Sequence, residues 1–176
     1  DDAPRRYEAG YREAANLICR ELISTSCETL VFPYIFMWRQ HIELTIKRLT
    51  RLIREYRGTQ AAPPIPKIHV LPKLWVPLRE LLEQDSSATV ELRDAIEAAE
   101  SIINQLEEVD PNAVHSRYAE GITSEFLIES FKKLPRYFEP AHCHGVLTRL
   151  SDFFHCLDLH YSEQLKLKKA NRHDDH

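Results

Sequence analysis

The chain has 176 residues, a length that suits one folded domain, because a single hydrophobic core usually serves about 100 to 200 residues. Hydrophobic residues make up 43% of the sequence and charged residues 28%, and the formal net charge is only −4. This composition excludes a disordered polyampholyte and a strongly basic nucleic-acid coat protein.

Apolar residues recur every three or four positions and only four glycines interrupt the chain, so the sequence predicts an all-α protein. A first helix is predicted from Pro4 to the serine- and threonine-rich residues 24–26. A second, longer helix is predicted over about residues 28–56, and Gly58 stands just after it, where a helix C-cap is typical. The core stripe of this second helix is predicted to contain Ile42, Ile46, Leu49 and Ile53.

Residues 59–67 contain three prolines, which cannot continue a helix, and they predict an extended connection within the domain. A short third helix follows, with Pro72 near its start. A fourth helix is predicted to end before Asp110, and we expect its N-cap among residues 85–87.

Residues 112–122 are predicted to form a loop that contains Arg117 and Tyr118. The next residues, 123–139, are ambiguous between a loop and a segment with a short helix.

A fifth helix is predicted from Pro140 to about Lys169, because its apolar residues step by three or four. We therefore expect residues 1–170 to form a single helical bundle domain of about five helices. Residues 171–176 are expected to be a frayed tail.

Three charged residues of the second helix lie four positions apart: Arg39, Glu43 and Lys47. Their charges alternate along one edge of the helix, beside core positions. One interpretation is a partly buried network of ion pairs that fixes the helix register. In the other, Arg39 and Glu43, with His41 nearby, line a cleft and act on an anionic ligand or as acid and base. The sequence leaves both open.

Two segments carry opposite charge. Residues 39–57 hold six basic and two acidic side chains, a combination that could contact phosphates. Residues 79–110 hold ten acidic residues and two arginines. We favour the interpretation that the charges of the two segments neutralise each other, within one chain or between two chains.

Histidine and cysteine residues cluster near the fifth helix, and a zinc site there is conceivable. The residues concerned are His142, Cys143, His144, Cys156 and His160. Their spacing matches no standard zinc pattern, so we predict no metal. The sequence also lacks a serine-nucleophile motif and a glycine-rich phosphate loop, so we predict no cofactor.

The sequence also bears on the cellular compartment. The four cysteines form no CxxC pair and are too few for a disulfide scaffold, which fits a reducing environment. No signal segment opens the chain, and no apolar run reaches the roughly 18 residues of a membrane span. These features predict a cytoplasmic location without a membrane partner.

Three short motifs follow one another in the sequence. They are the aromatic-rich residues 32–44, with Arg39-x-x-x-Glu43-Leu44 at their end, then His69-Val70-Leu71 with Leu74-Trp75, and then Asp110-Pro111 followed by Arg117-Tyr118-Ala119. This order resembles a family of mostly uncharacterised bacterial helical proteins, over about residues 30–120 and more loosely the last helix. Val70 and Ala119 stand where the family pattern has Asp and Pro.

That family is similar to the HEPN superfamily of helical bundles, many of whose members are dimeric ribonucleases in toxin and phage-defence systems. The resemblance implies an HEPN-like bundle with RNA as a partner. HEPN ribonucleases carry an Arg, four to six residues, and then a His. Such spacings join Arg136 to His142 and Arg149 to His155 here, which is about the number expected by chance, so they predict no ribonuclease chemistry.

Two functional hypotheses remain. In the first, the chain is a bacterial defence or toxin-type protein that binds RNA, with RNA cleavage as a further step. Arginines would hold phosphate and a histidine would move a proton. The predicted catalytic residues are Arg39, Glu43 and His69, and the predicted ligand-binding residues are His41, Trp75, Arg117 and Tyr118.

In the second hypothesis, the chain is a non-catalytic protein-interaction or sensing module whose polar residues are structural. In either case we expect a homodimer, because the aromatic second helix offers more apolar surface than one small core absorbs.

Overall fold

The computed structural model describes residues 3–59, 64–65, 68–85, 89–111 and 138–174. These residues are helical wherever they form regular structure, and they contain no strand. The prediction of an all-α bundle of about five helices is therefore confirmed. The helices are α1 (Ala3–Thr25), α2 (Val31–Arg57), α3 (Leu71–Glu83), α4 (Val90–Val109) and α5 (Pro140–Asp174), and a 3₁₀ turn over Glu28–Leu30 precedes α2.

Helix α2 occupies the centre of the bundle. It packs against α1, α3 and α5, while α4 packs against α3 and α5, and α1 also contacts α5. All five helices contribute side chains to one hydrophobic core. The predicted core stripe of α2 is confirmed, since Ile42, Ile46, Leu49 and Ile53 are all fully buried.

Both ends of α2 follow from local backbone chemistry. The helix begins at Val31, slightly later than predicted, and Pro33 lies in its first turn, where a missing backbone N–H costs no helical hydrogen bond. Gly58 has a φ of +73° and donates its N–H to the Glu55 carbonyl over 3.1 Å. Thr59 donates to the Arg54 carbonyl over 2.9 Å, which completes a Schellman motif and confirms the predicted C-cap.

The N-cap of α4 differs from the prediction. Thr89, with an extended backbone, caps the helix through its hydroxyl oxygen, which accepts the Leu92 N–H over 3.3 Å. Asp85, expected to be a candidate cap, instead accepts a hydrogen bond from the Tyr161 hydroxyl over 2.9 Å. The cap therefore lies two residues beyond the predicted segment 85–87.

The predicted end of the last helix near Lys169 is too early. Helix α5 continues to Asp174, so residues 171–174 extend the helix. Neither glycine nor proline interrupts the chain after Gly145.

Two aromatic residues of α2, Tyr34 and Trp38, are fully buried in the core of their own chain, and Tyr34 packs against Phe138 with ring centroids 6.0 Å apart. Phe32 and Phe36 of the same helix are partly buried. The apolar surface that a second chain could cover is therefore smaller than the sequence suggested, and the homodimer stays a prediction. The predicted loop 112–122, most of the ambiguous residues 123–139 and most of the connection 59–67 lie outside the described residues.

Candidate functional site

A polar cluster lies where α2 meets the segment before α3 and the end of α4. We call it the Arg39 cluster, and it consists of Arg39, Glu43, Lys47, His69, Glu107 and Asp110. Helix α2 supplies three of its members because residues four apart project from the same side of a helix, about 40° from one another.

Arg39 is the buried centre of the Arg39 cluster. Its side chain is fully buried, and Nη2 donates to the backbone carbonyl of His69 and to Oε2 of Glu107, each over 2.7 Å. Oε2 of Glu107 also accepts the Leu71 N–H over 2.9 Å, and Asp110 lies 4.0 Å from Nε of Arg39. Arg39 therefore joins α2 to the segment before α3 and to the end of α4.

Glu43 and His69 form a carboxylate–imidazole pair. Nδ1 of His69 lies 3.0 and 3.1 Å from the two Glu43 carboxylate oxygens. Lys47 holds the same carboxylate, with Nζ 2.7 Å from Oε1, and also donates to the Ile68 carbonyl over 3.0 Å. The Glu43 side chain is only 3% exposed, whereas that of His69 is 50% exposed.

This geometry determines which nitrogen of His69 can react. An ionised carboxylate only accepts hydrogen bonds, so Nδ1 carries the proton and neutral His69 keeps a lone pair on Nε2. A half-exposed imidazole in this tautomer can take a proton from a molecule that arrives from solvent. Arg39, which is enclosed, cannot reach such a molecule and acts by positioning its neighbours.

His41 belongs to a different cluster on the opposite side of α2. Nδ1 of His41 donates to the Glu8 carbonyl over 3.0 Å, and Nε2 accepts from the Ser151 hydroxyl over 2.8 Å. Arg48 binds both carboxylate oxygens of Glu8, over 2.8 and 2.9 Å, and also pairs with Asp158. We call Glu8, His41, Arg48, Ser151 and Asp158 the His41 cluster.

Burial shifts two pKa values in the His41 cluster. The pKa of His41 is lowered to about 4, chiefly by burial and also by the nearby cations Arg12 and Arg48, against the opposing effect of the hydrogen bond to the Glu8 carbonyl. Burial also raises the pKa of Glu8, although its contacts with Arg48 and Thr45 oppose this shift. The cluster joins α1, α2 and α5 and offers no exposed reactive group.

The structure therefore divides the predicted site. It brings Arg39, Glu43 and His69 together, but it places His41 on another face, because two helical residues turn about 200°. Trp75 lies in the hydrophobic core, with its ring centroid 6.1 Å from that of Phe154. Arg117 and Tyr118 lie outside the described residues.

Two members of the Arg39 cluster were missed by sequence reasoning. Glu107 lies 68 positions from Arg39, and no spacing rule connects residues so far apart. The sequence drew attention to Asp110 as the end of α4 and as part of the Asp110-Pro111 motif, but not as a neighbour of Arg39. The excess of acidic residues in segment 79–110 was the one feature of the sequence that pointed to these two residues. It indicated pairing with the basic residues of α2, but not which acidic residue pairs with Arg39.

The histidines and cysteines near α5 do not converge. Within the described ranges, no group of three or more His, Cys, Asp or Glu side chains has a geometry that could hold a metal ion. His144 instead contacts the hydroxyl of Tyr34 over 3.3 Å. Burial raises the pKa of the Cys143 thiol to about 11. Arg149 and His155 are both exposed on α5, and Arg136 lies outside the described residues.

No helix in the described part of the chain combines the length and the apolar character that crossing a membrane requires. Comparisons of the chain with protein-family models, with curated proteins and with solved structures gave no significant match.

Proposed function

We propose that this chain binds RNA and cleaves it with His69 as the general base, as an HEPN-like protein of the bacterial defence or toxin type. The observation that carries the proposal is the pair formed by the half-exposed imidazole of His69 and the buried carboxylate of Glu43. A carboxylate that accepts a hydrogen bond from Nδ1 fixes the tautomer, so Nε2 keeps the lone pair that can take up a proton.

The proposed reaction uses the 2′-hydroxyl of RNA as an internal nucleophile. Nε2 of His69 removes the hydroxyl proton, and the 2′-oxygen forms a bond to the adjacent phosphorus. The bond from phosphorus to the 5′-oxygen breaks, and protonated His69 returns its proton to the leaving oxygen. The products are a 2′,3′-cyclic phosphate and a 5′-hydroxyl, and no oxidant or cofactor is consumed.

The test is cleavage of a labelled RNA pool by the purified full chain. The His69→Ala variant is expected to cleave RNA at least about a hundredfold more slowly than the wild type, because a general base usually contributes at least this factor to the rate. His155→Ala is the matched control, because His155 is an exposed histidine on α5. Circular dichroism verifies that each variant is folded. Absence of cleavage by the wild type, with and without divalent metal, would rule out the proposal.

A second candidate is a non-catalytic interaction module, and the burial of Arg39 favours it. Arg39 and Glu43 are enclosed and tie three parts of the bundle together, as a structural network would. Under this candidate the wild type does not cleave RNA, and Arg39→Ala lowers the free energy of unfolding by about 3–5 kcal/mol, because it removes the buried cation that pairs with Glu107. Urea titration measures this loss, which both candidates predict, so cleavage of RNA by the wild type and its loss in His69→Ala decide between them.

A homodimer and a cytoplasmic location complete the proposal. Leu159 and Leu167, both more than half exposed on α5, support contact with a second copy. Light scattering of the purified chain should give twice the monomer mass of 20.6 kDa. A monomer mass at micromolar concentration would remove the dimer from the proposal without affecting the role of His69.

A further inference from the structure

One arginine within the basic segment 39–57 has no polar partner among the described residues. Arg51 is exposed on α2 and makes no hydrogen bond or ion pair with this part of the chain. Arg39 and Arg48 of the same segment, by contrast, are each paired with carboxylates. The expected neutralisation of the basic segment therefore does not extend to Arg51.

Arg51 lies on the same side of α2 as the residues that hold His69. Counted from Glu43, the helix turns about 40° to Lys47 and about 80° to Arg51, which lies about 12 Å further along the axis. Nζ of Lys47 and Nδ1 of His69 share the Oε1 atom of Glu43, at 2.7 and 3.0 Å. The two nitrogens therefore lie within two hydrogen-bond lengths of each other, and a row of cations begins beside His69.

The accessible charge on this side of α2 is positive. The Glu43 carboxylate is only 3% exposed and is already bound by Lys47. The Lys47 side chain is 16% exposed, and its Nζ uses two of three hydrogens, on Glu43 and on the Ile68 carbonyl. One donor of Lys47 is therefore left for a group that arrives from solvent. Arg54, about 20° from Glu43 around the helix, adds positive charge to the same side.

A chain of phosphates fits this row of cations. Cations spaced along a helix attract successive charges of a polyanion, and contacts with phosphate dominate the affinity of most sites that bind nucleic acids. The row also begins beside the imidazole to which the proposed reaction brings a phosphate. This position favours a nucleic acid over an acidic protein segment as the partner.

We propose that Lys47 and Arg51 form a phosphate-binding edge, which holds the strand whose scissile phosphate lies at His69. Lys47 contacts the phosphate beside His69, and Arg51 contacts a phosphate further along the same strand. The choice of RNA as the strand rests on the proposed function. Both contacts are made to phosphate, so the edge binds strands of any base sequence.

The test measures binding of a single-stranded 2′-deoxy oligonucleotide to the purified full chain by fluorescence anisotropy at several salt concentrations. The probe lacks the 2′-hydroxyl, so it cannot be cleaved by the proposed route. Arg51→Gln should weaken binding and reduce the slope of log affinity against log salt by about 0.7, the value for one phosphate contact of a single strand. Lys47→Gln should reduce the slope by the same amount, and circular dichroism verifies that each variant is folded.

Arg20→Gln is the matched control, because it removes the same charge from another part of the surface. Arg20 is exposed on α1 and follows Cys19, which contacts Pro140 at the start of α5. This variant should leave the salt slope unchanged. In RNA cleavage, Arg51→Gln should raise KM and leave kcat unchanged, because the contact is made equally in the ground state and the transition state.

The outcomes separate the phosphate-binding edge from the catalytic proposal. No binding of the probe by the wild type, an unchanged slope in Arg51→Gln, or an equal reduction in Arg20→Gln would overturn the edge. Equal competition by polyglutamate with the same number of charges would overturn it in favour of an acidic protein partner. RNA cleavage with an unchanged slope in Arg51→Gln would keep the role of His69 alone. Binding that depends on Arg51 without RNA cleavage would refute the role of His69 and keep the edge.

Discussion

His41 lies on α2 and His69 in the segment before α3, and the two side chains differ in burial. This difference determines what each can do with a proton. His69 has one nitrogen on a buried carboxylate and half of its side chain in solvent. His41 has both nitrogens engaged by neighbouring groups and is almost fully buried. The first arrangement permits proton exchange with an external molecule, whereas the second makes the neutral imidazole part of the folded structure.

The buried His41 predicts a loss of stability in acid. Its pKa in the folded chain is about 4, below the ordinary value of 6.5, so the unfolded chain binds the proton more readily. The contribution of His41 is therefore complete above pH 6.5 and is lost as the pH falls towards 4, to a total of about 3 kcal/mol. Urea titrations between pH 7 and pH 4 measure this loss.

The matched comparison is the His41→Gln variant, which should have a flatter dependence of unfolding free energy on pH. The raised pKa of Glu8 gives a slope of the opposite sign, but it is present in both proteins, so their difference isolates His41. Parallel curves for wild type and His41→Gln would show that His41 is not the group responsible.

Sequence reasoning at the scale of residues succeeded where contacts are local. The spacing of Arg39, Glu43 and Lys47 indicated a charged edge beside the core, and the structure shows the Glu43–Lys47 pair. Helical geometry could also have separated His41 from Arg39. The bonds from Arg39 to Glu107 and to the His69 carbonyl depend on how distant segments pack, which periodicity does not determine.

Two glycines in helical surroundings show how the effect of a substitution depends on the backbone. Gly58 ends α2 with a φ of +73°, a conformation that L side chains rarely adopt, although a Cβ there would meet no atom within 4 Å. Gly58→Ala should therefore destabilise the chain by about 1–2 kcal/mol through backbone strain alone.

Gly10 lies inside α1 in ordinary helical conformation with open space around it. Gly10→Ala should stabilise it by up to about 1 kcal/mol.

Urea denaturation of both variants measures this pair of opposite effects. Equal shifts in the same direction would contradict the assignment of Gly58 to a left-handed cap, because both sites have room for a methyl group.

A helix end could be predicted from the sequence where a residue type suited to a special backbone conformation marks it. Gly58 is such a residue, and the sequence correctly placed the C-cap of α2 there. The start of α4 was misplaced because residues 85–89 include several side chains that can cap a helix, and only the backbone shows that Thr89 does so. The end of α5 was misplaced because no glycine or proline marks it.

The whole molecule is organised around α2, whose two polar clusters attach different neighbours. The Arg39 cluster joins α2 to the segment before α3 and to α4, whereas the His41 cluster joins it to α1 and α5. In the part of the chain that the structure describes, the buried apolar residues form one hydrophobic core, so neither side of this part has a core of its own. The expectation of a single domain is consistent with this arrangement.

A single cooperative unfolding transition is therefore expected. Trp38 on α2 and Trp75 on α3 are both buried in the common core, so tryptophan fluorescence reports the core and circular dichroism reports the helices. The two signals should change together at the same urea concentration, and Arg39→Ala should shift both midpoints equally. If fluorescence changed at lower urea than helicity, part of the bundle would unfold separately, and the two polar clusters would then stabilise different units rather than one.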